Sequence, residues 1–218
     1  MKDYPSIEGP NKAPHLPCIA FEKYDGSNLR FEWERKKGWH LFGTRRRLFD
    51  KSDPEYGCAI DIFLQKYASG IEAVIKKEKH FRQCKEVICY GEFFGPASFG
   101  GQHDITHPAV CWNGATTNDP KDVVLFDINV HRKGFLTARQ FVNMIGHLPI
   151  AKVIYEGNLN ASFIEDVRQG KYPVCEGVVA KGCNGEAPHG IWMRKIKTLA
   201  YLEELKRRFA SDWEQFWE

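Results

Sequence analysis

Strand-like and helix-like segments follow one another along this chain without the regular strand–helix–strand alternation that parallel sheets require. That irregular order favours an α+β architecture of antiparallel sheets flanked by helices. Two strands, Cys18 to Lys23 and Asn28 to Arg35, are joined by a short turn, and Trp39 to Thr44 reads as a third. From Ala59 to Lys79 the residues Ile60, Phe63, Leu64, Tyr67, Ile71, Val74 and Ile75 recur at helical spacing, which predicts an amphipathic helix broken at Gly70. Glu86 to Phe94 and Val123 to His131 are apolar, β-branched runs of the kind found in buried strands. Residues 95 to 122 between them, rich in Gly, Pro, Asn and His, read as a long loop. Thr137 with Gln140, and Ser162 with Glu165, fit the capping box, predicting short helices that end near Gly146 and Gly170. Gly177 to Lys181 and Ile191 to Ile196 read as strands across a Gly-rich hairpin. Leu199 to Trp217 places Leu202, Leu205, Phe209, Trp213 and Phe216 on one helical face. Residues 1 to 17, with four prolines, read as an extended arm.

A chain of 218 residues with 43% hydrophobic and 13% aromatic side chains can bury one substantial core. Its net charge of +3 is too mild to announce a polyanionic partner, although Arg45-Arg46-Arg47, Lys76-Lys77 with Lys79, Arg194-Lys195 with Lys197, and Lys206-Arg207-Arg208 concentrate positive charge. Such runs are ordinarily solvated faces. Seven cysteines, with no C-x-x-C pair, argue for free thiols in a reducing, intracellular compartment, read as cytoplasmic. The polar start Met1-Lys2-Asp3-Tyr4-Pro5 is unlike a signal peptide, and no stretch reaches the roughly 20 apolar residues that span a bilayer. No membrane partner is expected.

The chemistry centres on Lys23-Tyr24-Asp25-Gly26. A lysine in a K-x-D-G turn can attack a nucleoside triphosphate and carry the nucleotide as a phosphoramide. A free lysine has a pKa of about 10.4, so burial or neighbouring cations must favour its neutral form. Taken alone, the same four residues also make a good surface turn. Downstream stand Tyr90-Gly91-Glu92-Phe93-Phe94-Gly95, Leu125-Phe126-Asp127-Ile128, Glu176-Gly177-Val178-Val179 and Trp192-Met193-Arg194-Lys195-Ile196-Lys197. In this order the series resembles the nucleotidyl motifs of the covalent nucleotidyltransferases, the polynucleotide ligases and mRNA capping enzymes, from about residue 20 to residue 198. Glu22 before the lysine, Asn28 five residues after it and the Lys-x-Lys ending narrow the resemblance to ATP-dependent RNA ligases of the type named after the second RNA ligase of phage T4.

That resemblance implies a nucleotidyltransferase (adenylation) domain over 1–198, and an enzyme that joins 5′-phosphate and 3′-hydroxyl RNA ends using ATP and Mg²⁺ or Mn²⁺. It implies Lys23 as the nucleophile, Lys195 and Lys197 on the α-phosphate, and Glu176 as the metal contact, with a salt bridge to a lysine as the plainer alternative for Glu176. Phe126 would stack on adenine with Val178 beneath its other side, although core packing explains Phe126 nearly as well. Glu22 would accept from the adenine amino group, Glu92 would bind the ribose, and Arg45 would handle phosphate, with the register inside Arg45-Arg46-Arg47 open. Asn28 resembles a residue that serves sealing more than charging. His103 and His107 could form a metal pair, but no third ligand accompanies them. The alternatives are a DNA-joining or GTP-using capping relative, and a binding module without turnover. About twenty residues follow Lys197, where relatives carry a further module; an OB domain is not expected. They read as one amphipathic helix packed on the same domain, with docking of a protein partner or RNA as the other uses of its basic run.

Overall fold

A computed structural model describes residues 4–11, 14–95, 98–100, 120–185 and 191–216, with side chains described as far as Trp213. His103 and His107 lie outside the described residues, as does most of the loop that contains them. In chain order the strands and helices are β1 (Pro17–Lys23), β2 (Ser27–Glu34), β3 (Gly38–Thr44), β4 (Leu48–Phe49), α1 (Gly57–Phe63), α2 (Ser69–Lys77), β5 (Glu86–Phe94), β6 (Asp122–Val130), β7 (Gly134–Phe135), α3 (Ala138–Ile145), β8 (Val153–Asn158), α4 (Ala161–Arg168), β9 (Gly177–Gly182), β10 (Met193–Lys197) and α5 (Leu199–Phe209). They form an α+β fold of two antiparallel sheets, divided between two compact units.

The first unit comprises Tyr4 and the described residues of 27–96 and 120–150. Its six-stranded sheet has the order β4-β3-β2-β5-β6-β7. Alternation along β2 and β5 sorts their side chains onto two faces. Leu29 and Phe31 with Val87, Cys89 and Phe93 go to a buried face that meets the helices, where Phe31 stacks flat on Phe63 at 3.9 Å. Asn28, Arg30 and Glu32 with Ile88, Tyr90 and Glu92 take the other face.

The helix predicted over Ala59 to Lys79 is present, but Gly70 does not break it. α1 runs through a π-helical turn, Leu64–Ala68, into α2. The turn has a visible anchor: the Tyr67 hydroxyl lies 2.9 Å from the Val123 carbonyl and 2.7 Å from that of Pro149. A Cβ at Gly70 would come within 2.6 Å of the end of the Leu148 side chain. Thr137 makes the full capping box with Gln140 at the start of α3. The N-cap of α4 lies two residues earlier than predicted. Asn160, not Ser162, accepts from the amide of Phe163.

The second unit comprises the described residues of 5–26, 97–119 and 151–218. Its sheet has the order β10-β9-β1-β8. β8, which periodicity did not reveal, is an edge strand with no fully buried residue, held by pairing with β1. Cys18, Ala20, Val178, Ala180, Trp192 and Ile196 form one buried layer with Leu159 and with Phe163 and Val167 of α4.

The C-terminal segment is helical only to Phe209. Ala210 has φ +46°, and a 3-10 segment, Ala210–Phe216, replaces the predicted continuation to Trp217. Its basic run is balanced from within: Arg207 and Arg208 both pair with Glu204, and Lys206 lies 4.6 Å over the Trp213 ring. Leu202 and Leu205 pack with Phe99 and Tyr201.

Truncating Phe63 removes the ring stacked on Phe31, so Phe63→Ala should cost about 3–5 kcal/mol. Thr137→Ala removes one cap and should cost about 1 kcal/mol. Urea denaturation of both variants measures the contrast.

Candidate active site

Lys23 is the last residue of β1 and sits directly opposite Gly177, the first residue of β9, which in turn pairs with Lys197 at the end of β10. Residues opposite one another on neighbouring strands share a face. The row Lys23–Gly177–Lys197 therefore lies together, and the row Phe21–Val179–Lys195 lies next to it on the same face. The Lys-x-Lys spacing thus does what strand geometry requires: Lys195 and Lys197 project the same way while Ile196 between them enters the core.

Glu176, one residue before β9, is buried, with a side chain 3% exposed. Its Oε1 lies 2.7 Å from the Lys23 ammonium and 3.3 Å from that of Lys197. Its Oε2 is buried and finds no hydrogen-bond donor among the described residues. A buried carboxylate oxygen with no donor suits a hard cation, and Mg²⁺ commonly takes one or two protein carboxylates with water and phosphate oxygens completing its shell. No cluster of three or more potential metal-binding side chains occurs among the described residues.

Burial pushes the Lys197 pKa below its ordinary value; Glu176 opposes that shift and Lys23 adds to it. The side chain of Lys23 keeps a quarter of its exposure, whereas that of Lys197 is 6% exposed.

Glu176 is held from behind. The Thr198 amide donates to its carbonyl at 2.9 Å, the Thr198 hydroxyl donates to the Cys175 carbonyl at 3.0 Å, and the same hydroxyl accepts from the Tyr201 amide as the N-cap of α5. Gly177 is required by space and by conformation. At φ +154° a Cβ there would sit 2.0 Å from the Ile196 carbonyl oxygen.

Two of the expected residues lie on the strand face away from Lys23. Val178 is fully buried in the core layer with Ile196 and Ala180, on the face away from Lys23; Val179, half-buried, shares the lysine face. Glu22 stands opposite Val178, so the pleat directs its carboxylate to that same far face.

The first unit holds the other expected residues. Asn28 and Glu92 are directly opposed and share a face with Arg30 and Tyr90. Phe126 is the extra residue of a β-bulge: Tyr90 pairs with Asp127 and Gly91 with Leu125, which leaves Phe126 unmatched. Such bulges re-aim a side chain. Phe126 is half-buried and meets the edge of Tyr4 at 5.1 Å, while the Tyr4 hydroxyl donates to the buried Asp127 carboxylate at 2.9 Å. Arg45 and Arg46 are exposed between β3 and β4, and Arg47 pairs with Asp53. Tyr4, Val179 and Tyr201 were not picked out from the sequence. For Val179 the signal was present, as alternation from Lys23 through its strand partners.

The sequence pattern of the RNA ligase family matches residues 16–194. The chain belongs to the RNA ligase family. No curated protein matches it. Among solved structures it is similar to an RNA ligase of Naegleria gruberi (TM-score 0.64, 17% identity, 95% of this chain and 59% of that one). It is also similar to a putative ATP-dependent DNA ligase of Aquifex aeolicus (TM-score 0.59, 16% identity, 99% and 55%). The family member described here thus spans a little over half the length of these two ligases, and at such identities the likeness speaks for the fold.

Gly177→Ala forces a Cβ into the Ile196 carbonyl and should destabilise the protein by at least about 3 kcal/mol. Thermal unfolding of the purified variant reads this directly.

Proposed function

We propose that the protein is an ATP-dependent RNA ligase that joins 5′-phosphate and 3′-hydroxyl ends through a lysyl-AMP intermediate on Lys23. The observation that carries this reading is the meeting of Lys23 and Lys197 on one oxygen of a buried Glu176, whose other oxygen lacks a donor among the described residues. Family membership and the order of the motifs support it. So does the Naegleria ligase, whose structures hold ATP or AMP with manganese.

In the first step the neutral Lys23 amine attacks the α-phosphorus of ATP. The N–P bond forms, the bond to the β-phosphate oxygen breaks, and pyrophosphate leaves. Lys197 and Lys195 supply positive charge where the α-phosphate becomes most negative. A divalent cation held by Glu176 would neutralise the carboxylate that favours the ammonium form of Lys23 and would screen phosphate charge. AMP then passes to the 5′-phosphate of the RNA, and attack by the 3′-hydroxyl joins the ends and releases AMP. All three steps are phosphoryl transfers governed by positioning and charge neutralisation, so one set of side chains serves them all. Phe126 offers its ring to adenine, Val179 takes the apolar contact first assigned to Val178, and Glu92 serves the ribose hydroxyls. Arg45 is the phosphate-handling candidate of its exposed triplet, and Asn28 serves sealing.

Incubation with labelled ATP or GTP and magnesium should leave acid-labile label on the wild type from ATP alone, and none on Lys23→Ala. An adduct from GTP alone would make the protein a capping relative, and label surviving in Lys23→Ala would remove Lys23 as nucleophile.

The two neighbouring valines should separate cleanly. Val179→Ala should raise the ATP concentration for half-maximal charging about fivefold with little loss of stability, as one lost apolar contact predicts. Val178→Ala should leave that concentration unchanged and lower stability by about 2 kcal/mol. Charging assays beside urea titrations measure both.

A further inference from the structure

Helix α5 begins immediately after Lys197, beyond residues 16–194 that carry the family pattern. Its N-cap, Thr198, fixes the first turn, and that turn brings Tyr201 back beside the lysine row. Tyr201 is 8% exposed and makes two separable contacts. Its ring lies under the Lys197 ammonium, 5.2 Å from centroid to nitrogen. Burial and the nearby carboxylates of Glu176 and Asp25, the latter the acidic residue of the K-x-D-G turn, push the Tyr201 hydroxyl pKa up, which places that hydroxyl beside Asp25. Asp25 also accepts the Gly100 amide at 2.9 Å. Phe99, next to Gly100, packs on Tyr201 and stacks with Phe209 farther along the helix. Gly100 itself, at φ +58°, lies so close to the Phe209 ring that a Cβ would approach within 2.8 Å.

We propose that Tyr201 is a positioning residue for nucleotidyl transfer: its hydroxyl fixes the turn that aims Lys23, and its ring fixes the ammonium of Lys197. The proposal rests on the ligase reading given above and assigns the helix after the Lys-x-Lys strand to the charging step. A desolvated cation over an aromatic face is held in place without surrendering a hydrogen bond, so Lys197 can keep Glu176 and still be oriented. A carboxylate that accepts the Gly100 amide and faces the Tyr201 hydroxyl, in turn, leaves the two-residue link from Lys23 to Asp25 little freedom to swing.

The two contacts predict different kinetics. Formation of the labelled Lys23 adduct is followed in single turnovers over a range of ATP concentrations, using the full chain with magnesium. Tyr201→Phe keeps the ring, and its rate at saturating ATP should fall about tenfold, the scale of one hydrogen bond to a charged group, with half-saturation unchanged. Tyr201→Leu loses both contacts and should in addition raise the half-saturating ATP concentration about fivefold. Combined with Lys197→Met, the Phe and Leu substitutions should half-saturate alike, because the ring has no ammonium left to hold. Wild-type charging by Tyr201→Leu overturns the proposal. So does a loss that follows thermal stability alone and keeps its size in the Lys197→Met background. If Tyr201→Leu does not fold, an unchanged saturating rate in Tyr201→Phe overturns it. Absence of an adduct in the wild type sinks the ligase reading and this role together, whereas normal adducts in wild type and Tyr201→Leu sink this role alone.

Discussion

The Glu176 carboxylate is where the second unit is tied together. The end of β1, the start of β9, the end of β10 and the cap of α5 all meet within one residue of it, and each depends on the others for its polar partners. A carboxylate 3% exposed is tolerable only because two ammonium groups converge on it, and those two cations are tolerable beside each other only because of the carboxylate. Removing one partner from such a buried set leaves an uncompensated charge and costs on the order of 3–5 kcal/mol. The arrangement is nonetheless uneven in a useful way. One carboxylate oxygen carries both lysines while the other has no described donor, so an oxygen lone pair is left to offer.

Much of this was legible in the sequence, because the relevant spacings are short and chemically specific. Lys-x-Lys on a strand fixes a shared face, and Thr137 with Gln140 marks a helix start. The apolar stripe from Ile60 to Ile75 was legible too, with Leu64 as its one member only half-buried. What escaped was decided by tertiary partners. β8 has no apolar alternation of its own and exists as a strand because β1 offers it an edge. The π-turn in the long helix follows from two carbonyls distant in sequence that the Tyr67 hydroxyl reaches. The α-helical register past Phe209 fails at Ala210, whose positive φ no local rule announces.

Val178 and Phe126 show how a single residue of register decides a role. Side chains alternate strictly along β9, so placing the apolar contact one residue early moves it from the lysine face into the core. Lys23 opposite Gly177 is the anchor that removes the ambiguity: counting two residues on from Gly177 reaches Val179, with no further information required. Phe126 works the other way. Regular alternation would give it the face opposite its neighbours Leu125 and Asp127, but the bulge frees it from a cross-strand partner, and only the pairing pattern of β5 with β6 shows this. The cost of the irregularity is met locally, since buried Asp127 receives both the Tyr4 hydroxyl and the Ile128 amide. Burial and that carboxylate together push the Tyr4 pKa well up, so its hydroxyl stays a donor.

The basic C-terminal run illustrates why charge counts in sequence are weak evidence of a polyanion site. Lys206-Arg207-Arg208 reads as three cations, yet Glu204 lies three and four residues before the two arginines, the spacing at which helical side chains meet. Both arginines hold its carboxylate, whose pKa they depress to about 2, and Lys206 rests on Trp213. The positive potential left to attract phosphate is therefore much smaller than the sequence suggests. At the other end of the same helix Lys197 and Lys23 share a single oxygen of buried Glu176. Cations that a neighbouring carboxylate already neutralises attract phosphate weakly, so a count of basic residues along α5 is no measure of its pull on a polyanion.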